Sequence, residues 1–225
     1  MLVAGGAAAV LALPAAPQPG AWKTEFGVDK ADFVAAGRNP YFVLEPGYTL
    51  TLEHGAERLV ITVLADTKVV DGVETRVVEE RETNKGQLVE VSRNYYAMSR
   101  KTNDVFYFGE DVDMYKNGRI TSHEGSWMAG AKSAKFGLMM PAQPVLRMRY
   151  HQEVAPGLAM DRAEIVSLTA TVTGGAGPWQ NCVKTEETTP LEPLTREYKY
   201  YAPGIGLVQD GDVKLVKFGM ATPAK

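Results

Sequence analysis

The chain has 225 residues, 45% of them hydrophobic and 23% charged, with a formal net charge of -3, a balance suited to a well-cored globular domain. Lys and Arg are scattered among Asp and Glu, which excludes the basic stripe of a nucleic-acid binder, and no nucleic-acid partner is expected. A single cysteine, Cys182, excludes an intramolecular disulfide and reads as a small buried hydrophobe on a strand.

The first sixteen residues, Met1 to Ala16, are small, apolar and uncharged, and Pro17, Pro19 and Gly20 follow. This is the texture of the apolar region and cleavage zone of a secretory signal peptide. It is too short to span a bilayer, which takes roughly 20 apolar residues. The chain is therefore expected to be exported, periplasmic or extracellular, with no transmembrane segment. Residues 1–20 read as a signal-peptide remnant and spacer, 21–38 as an N-terminal arm, 39–219 as a single β domain and 220–225 as a tail.

In the arm, Asp29 to Ala36 suggests one or two helical turns closed by Gly37. From Asn39 onward the texture is β. Tyr48 to Glu53, Arg58 to Leu64, Thr75 to Glu79 and Gln87 to Ser92 alternate with period two. Asp71-Gly72 and Asn117-Gly118 carry the signature of two-residue hairpin turns, in which both residues need positive φ. Asp104 to Phe108 and Val112 to Ile120 continue the pattern, whereas Gly125 to Pro144 reads as a long loop with a short strand or helical piece. Strands resume at Arg147 to Val154, Ala163 to Thr173, Asn181 to Thr188, Arg196 to Tyr201 and Val213 to Phe218. The expected fold is all-β: an antiparallel curved sheet, half-open barrel or sandwich of about ten to twelve strands, with a short helical N-terminal segment. Asn94-Tyr-Tyr-Ala97 and Lys199-Tyr-Tyr-Ala202 form a weak internal echo.

The motifs Asn39-Pro-Tyr-Phe-Val-Leu-Glu-Pro-Gly47, Asp104-Val-Phe-Tyr-Phe-Gly-Glu-Asp111, His123-Glu-Gly-Ser-Trp127 and Lys199-Tyr-Tyr-Ala-Pro-Gly-Ile-Gly-Leu-Val208 span most of the chain. In these it resembles a family of uncharacterised exported bacterial β-rich proteins. The chain departs from that pattern at Val145 to Met148 and at Met160 to Arg162. The resemblance implies an antiparallel sheet and carries no catalytic residues.

No nucleophile elbow or phosphate-cradling turn is present: Gly125-Ser126 lacks the flanking glycine, and Gly204-Ile-Gly206 precedes no helical pattern. The richest polar constellation is Glu110, Asp111, Asp113, His123 and Glu124 around the Asn117-Gly118 turn. Oxygen-rich sets with an imidazole suit a divalent cation such as Ca²⁺, Mn²⁺ or Zn²⁺. The same charges also suit a solvated hairpin protecting a sheet edge. Side chains alternate along a strand, so Glu110 needs a bulge to join Asp111 and Asp113 on one face.

Aromatic residues crowd the strands, and neighbours in sequence project to opposite faces. In a curved sheet Tyr95, Tyr96, Phe106, Phe108, Trp127, Tyr150 and Tyr200 are candidates to line a pocket for a small apolar ligand. In a plain sandwich they form cross-strand surface pairs. The leading reading is non-catalytic binding of a small or apolar ligand, with no cofactor required and the oligomeric state open. The alternatives are a divalent-metal protein or metal-dependent enzyme using the acidic hairpin, and a structural envelope protein.

Overall fold

The computed structural model describes residues 20–221, so the leader from Met1 to Ala16 lies outside the described residues. Eighteen strands follow in chain order. The arm and its sequel hold β1 (Phe33–Val34), β2 (Arg38–Asn39) and β3 (Phe42–Val43). The long meander is β4 (Tyr48–His54), β5 (Glu57–Val70), β6 (Val73–Asn84), β7 (Gln87–Ser99) and β8 (Val105–Lys116). Short pieces come next: β9 (Arg119–Ser122), β10 (Trp127–Met128), β11 (Lys135–Met140), β12 (Arg149–His151) and β13 (Glu153–Val154). A second meander closes the chain: β14 (Arg162–Val172), β15 (Trp179–Thr189), β16 (Glu192–Ala202), β17 (Gly206–Asp210) and β18 (Val213–Met220).

The main sheet is antiparallel and runs β12-β14-β15-β16-β17-β18-β4-β5-β6-β7-β8-β11-β13. Its two ends are consecutive pieces of one segment, separated by Gln152 alone. The sheet therefore curls round until its edges meet, giving a barrel close to closure. The main-chain N–H groups of Gln152 and Glu153 both donate to the Asp161 carbonyl (2.8 and 3.5 Å). This two-on-one pairing is a bulge that bends the strand from one neighbour to the other.

The turns follow from residue type. Asp71-Gly72, Lys85-Gly86 and Asn117-Gly118 all have positive φ at both positions (50° and 77°, 52° and 73°, 52° and 72°), as two-residue hairpins demand. Alternation then sets the faces. Leu50 and Leu52 on β4 lie opposite Ile61 and Leu59 on β5, while Val63 lies opposite Val78 on β6; all six are buried. On β8 Tyr107 points inward, whereas Phe106 and Phe108 point out and meet Phe33 at 5.3 and 5.2 Å between ring centroids.

Two segments before β4 complete the body. Residues 22–34 strap the outer wall: Trp22 lies against Arg149 and Arg162, Lys23 bonds the main chain of Arg149 and His151, and Phe33–Val34 pairs with β7. The β2–β3 hairpin plugs one end. Buried Asn39 donates to the carbonyls of Asn103 and Met140 (2.8 and 3.2 Å) and accepts from the Tyr41 N–H. Phe42 thereby meets Tyr96 edge-on at 5.1 Å.

One expectation needs correction. The helical turn or two over Asp29 to Ala36 is not formed. A single 3-10 turn, Lys30–Asp32, is capped by Asp29, and the chain then extends because Phe33 is drawn into the cluster of Phe106, Phe108 and Phe136. The short strand expected within Gly125 to Pro144 is β11, which forms a stave of the barrel. Gly137 is the reason β11 fits: a Cβ there would sit 2.4 Å from the main chain of Gln152.

Gly137→Ala should therefore pry β11 from the closing strand and lower stability by about 2–3 kcal/mol, as overpacking does. Gly118→Val faces open space and meets only its positive φ, so its cost should be about 1–2 kcal/mol. Urea melts of both variants check the order, and equal losses would contradict the tight seam.

Candidate functional site

The barrel holds a partly open cavity of about 240 Å³. Its plugged end is apolar, with Phe42, Leu50, Ile61, Val63, Val78 and Ile205 in the wall. Toward the far end the wall becomes acidic. Glu80, Glu90, Glu110, Glu153, Asp161, Glu187 and Asp210 line the same space, and Lys199 is the one basic residue among its lining residues. The hairpin register explains the gathering: Glu80 follows Val78 on the inner row of β6, and Glu110 lies opposite Asn94, another lining residue on β7. The bulge at Gln152 and Glu153 brings both of those residues to the lining, although they are adjacent in sequence.

Hydrogen bonds hold several of these groups in place. Lys199 reaches Glu187 at 3.2 Å and Asp210 at 3.6 Å. Glu187 also accepts from Gln152 (3.3 Å) and Thr185 (3.1 Å), and Glu153 accepts from the Asp161 N–H at 2.7 Å. Tyr107 donates to Asn94 at 2.5 Å. Tyr96 stacks on Tyr107 at 4.8 Å, yet neither its hydroxyl nor that of Tyr201 meets a hydrogen-bond partner among the described residues, although both side chains line the cavity.

The electrostatics follow from crowding. Burial, with smaller contributions from neighbouring carboxylates, pushes Glu80 and Glu110 up to about 7 and Glu153 well above the usual range. Glu90 and Asp161 are raised chiefly by burial as well. Burial pulls Lys199 down, but Asp210 and Glu187 outweigh it and keep the ammonium charged. The Tyr96, Tyr107 and Tyr201 phenols are raised by burial and stay neutral.

The structure scatters the acidic hairpin. Glu110 points into the barrel, while Asp111 lies outside, bound by Lys68 and Tyr95. Burial raises Asp111, but those hydrogen bonds outweigh it and hold it below its usual range. Asp113 pairs with Arg93 (3.3 Å) and His123 (2.9 Å), and Glu124 is exposed beyond them. Alternation along β8 separates the set, and no group of three or more His, Cys, Asp or Glu among the described residues is arranged to hold a metal ion.

The aromatic candidates divide too. Tyr96 lines the cavity and Trp127 packs edge-on against Tyr107 at 5.3 Å. Phe106 and Phe108 sit beneath the strap, Tyr95 turns outward to Lys68, and Tyr200 lies under Lys184. Tyr150 is fully buried but does not line the cavity. Reading the sequence missed Tyr107, Tyr201 and most of the carboxylates. The available signal was alternation: Glu80 and Glu82 share a row with Val78, a core position.

A carboxyl raised from 4.5 to about 7 by folding stabilises the fold below the lower value, and that stability is lost as pH rises through the upper one. His151, lowered by burial and by Arg162, acts in the opposite sense. The variants isolate the carboxylates. Glu80→Gln with Glu110→Gln should raise Tm at pH 8 by roughly 2–4 °C per kcal/mol gained, and much less at pH 5. Lys199→Met should lower Tm at pH 8 more than at pH 5, because it removes the positive charge facing Glu80 and Glu110, which are charged mainly at the higher pH. Thermal melts at both pH values check this; shifts that ignore pH would refute it.

Compared with known proteins, the chain matches no family model, no curated protein and no solved structure.

Proposed function

We propose that the chain is a non-catalytic binding protein that holds a small ligand with an apolar body inside its barrel. The observation that carries this reading is the cavity itself, walled by Phe42, Leu50, Ile61, Val63 and Val78 and stopped at that end by the Asn39 hairpin. Protein interiors are normally packed without such voids, and concave apolar spaces with a few convergent polar groups are the usual form of a ligand site. A purely structural domain has no need of the space. The hairpin carboxylates favour the metal reading less, since Lys68, Arg93 and His123 occupy Asp111 and Asp113. Export through the leader from Met1 to Ala16 belongs to the same proposal, the ligand then being met outside the cytoplasm. No helix among the described residues is long and apolar enough to cross a membrane.

The test is calorimetric titration with 2-naphthylmethanol, a compact neutral probe. Binding is expected, and Val78→Phe, which fills the apolar wall, should weaken it at least tenfold. Affinity that ignores this substitution would place the probe elsewhere and sink the reading.

A further inference from the structure

The chemistry of the cavity's far end specifies the ligand more narrowly. Seven carboxyl groups and one lysine line a single cavity, and that lysine is already shared between Glu187 and Asp210. Glu80, Glu90 and Glu110 have no basic partner within ion-pairing distance among the described residues, although all three line the cavity. Gathering like charges in one desolvated site works against the fold. Their presence there is understandable if a positive charge enters the space.

A second, independent observation points the same way. Tyr96 and Tyr201 are only 4% and 2% exposed. Both line the cavity, yet their hydroxyls meet no partner among the described residues. A phenol hydroxyl that opens into a cavity is free to bond an occupant, and its oxygen accepts readily from an N–H donor. The rings of Tyr96, Tyr107 and Phe42 also line the site, and aromatic rings attract an organic cation.

An anion would meet seven carboxyl groups, and a neutral apolar molecule would leave them uncompensated. A bare metal ion would use neither the apolar wall nor the rings, and no three-ligand metal group is assembled among the described residues. Beyond the cavity a neighbouring hollow shares Asp210 and adds Glu57, Glu82, Glu197 and Asp212 against a single base, Arg58. The negative potential thus extends outward, as a site that draws in cations requires.

We propose that the ligand is a small organic cation, a protonated amine carried on a compact apolar or aromatic body, with the body against Phe42, Val63 and Val78 and the ammonium among Glu80, Glu110 and Tyr96. This rests on the binding role proposed above and names the class of ligand for the same cavity.

Three probes of one shape test it: 2-naphthylmethylamine, 2-naphthylmethanol and 2-naphthoate, each titrated calorimetrically at pH 7.5 and low salt. The amine should bind at least tenfold more tightly than the alcohol, and the naphthoate most weakly. In Glu80→Gln with Glu110→Gln, checked for folding by a thermal melt, the amine-to-alcohol affinity ratio should fall at least tenfold. If the alcohol binds as well as the amine, the cationic inference fails while the binding role stands. If none of the three binds at millimolar concentration, both fail. An amine preference that survives the double substitution also overturns the assignment, because the charge is then read elsewhere.

Discussion

A barrel cavity in an antiparallel sheet requires the sheet's two edges to meet, and here the meeting depends on the segment from Arg149 to Val154. It pairs with β14 through Arg149 to His151 and with β11 through Glu153 and Val154. One strand thus serves two neighbours, and the bulge at Gln152 makes the change of partner. On the far side Gly137 lets β11 approach closely enough to be the second neighbour. From outside, Trp22 and Lys23 press on the same seam. Without closure, edge groups of β11 and β14 would be left unpaired, and such edges invite other chains. The acidic residues would also lie on an open concave face, where water would screen them.

Closure also sets the character of the interior. In the plugged half, Leu50, Ile61, Val63 and Val78 supply burial of the ordinary kind. On β4 and β5 the rows continue as Leu52 and Leu59, whereas on β6 Val78 gives way to Glu80, and β7, β8, β13, β15 and β17 add carboxyl groups that folding desolvates. The fold therefore carries an electrostatic strain that its apolar half offsets. Lys199 relieves it only locally, through Glu187 and Asp210. Strain of this sort is common where a protein prepares a charged site in advance of its ligand.

Much of the fold was legible from residue order, because turns and alternation are local properties. Asp71-Gly72 and Asn117-Gly118 need positive φ whatever surrounds them, and both form the expected hairpins. Cys182 was readable as buried from its polar neighbours. The arm was not, because Phe33 obeys a nonlocal cluster rather than its own propensity. Nor was the placement of β11, which depends on a close approach between Gly137 and Gln152. At the site, the argument that neighbouring aromatics must split between faces holds for Phe106, Tyr107 and Phe108. It could not say which of them faced the cavity, since Gly109 shifts the register of β8 against β7. The carboxylates were hidden for a different reason. Glu80, Glu90, Glu153 and Glu187 come from separate strands, and each alone reads as a solvated position.

The same step from apolar to charged recurs on β6, β7, β8 and β16, and it fixes a length scale. Val78 gives way to Glu80 on β6, and Tyr201 to Lys199 on β16, each within two residues, a rise of about 7 Å along a strand. On β7 the passage from Tyr96 to Glu90 is slower, through Asn94 and Ser92. On β8 it runs from Tyr107 to Glu110 across the bulge. Because adjacent strands are antiparallel, the charged member of each of these steps lies toward the same end. An occupant must therefore change from apolar to polar over roughly one ring's length. A long hydrocarbon tail would have to pass among carboxylates, and a fully polar solute would leave Phe42 and Val63 facing it without gain. The wall is matched to a compact molecule with one apolar end, and the carboxylates decide what its other end must be.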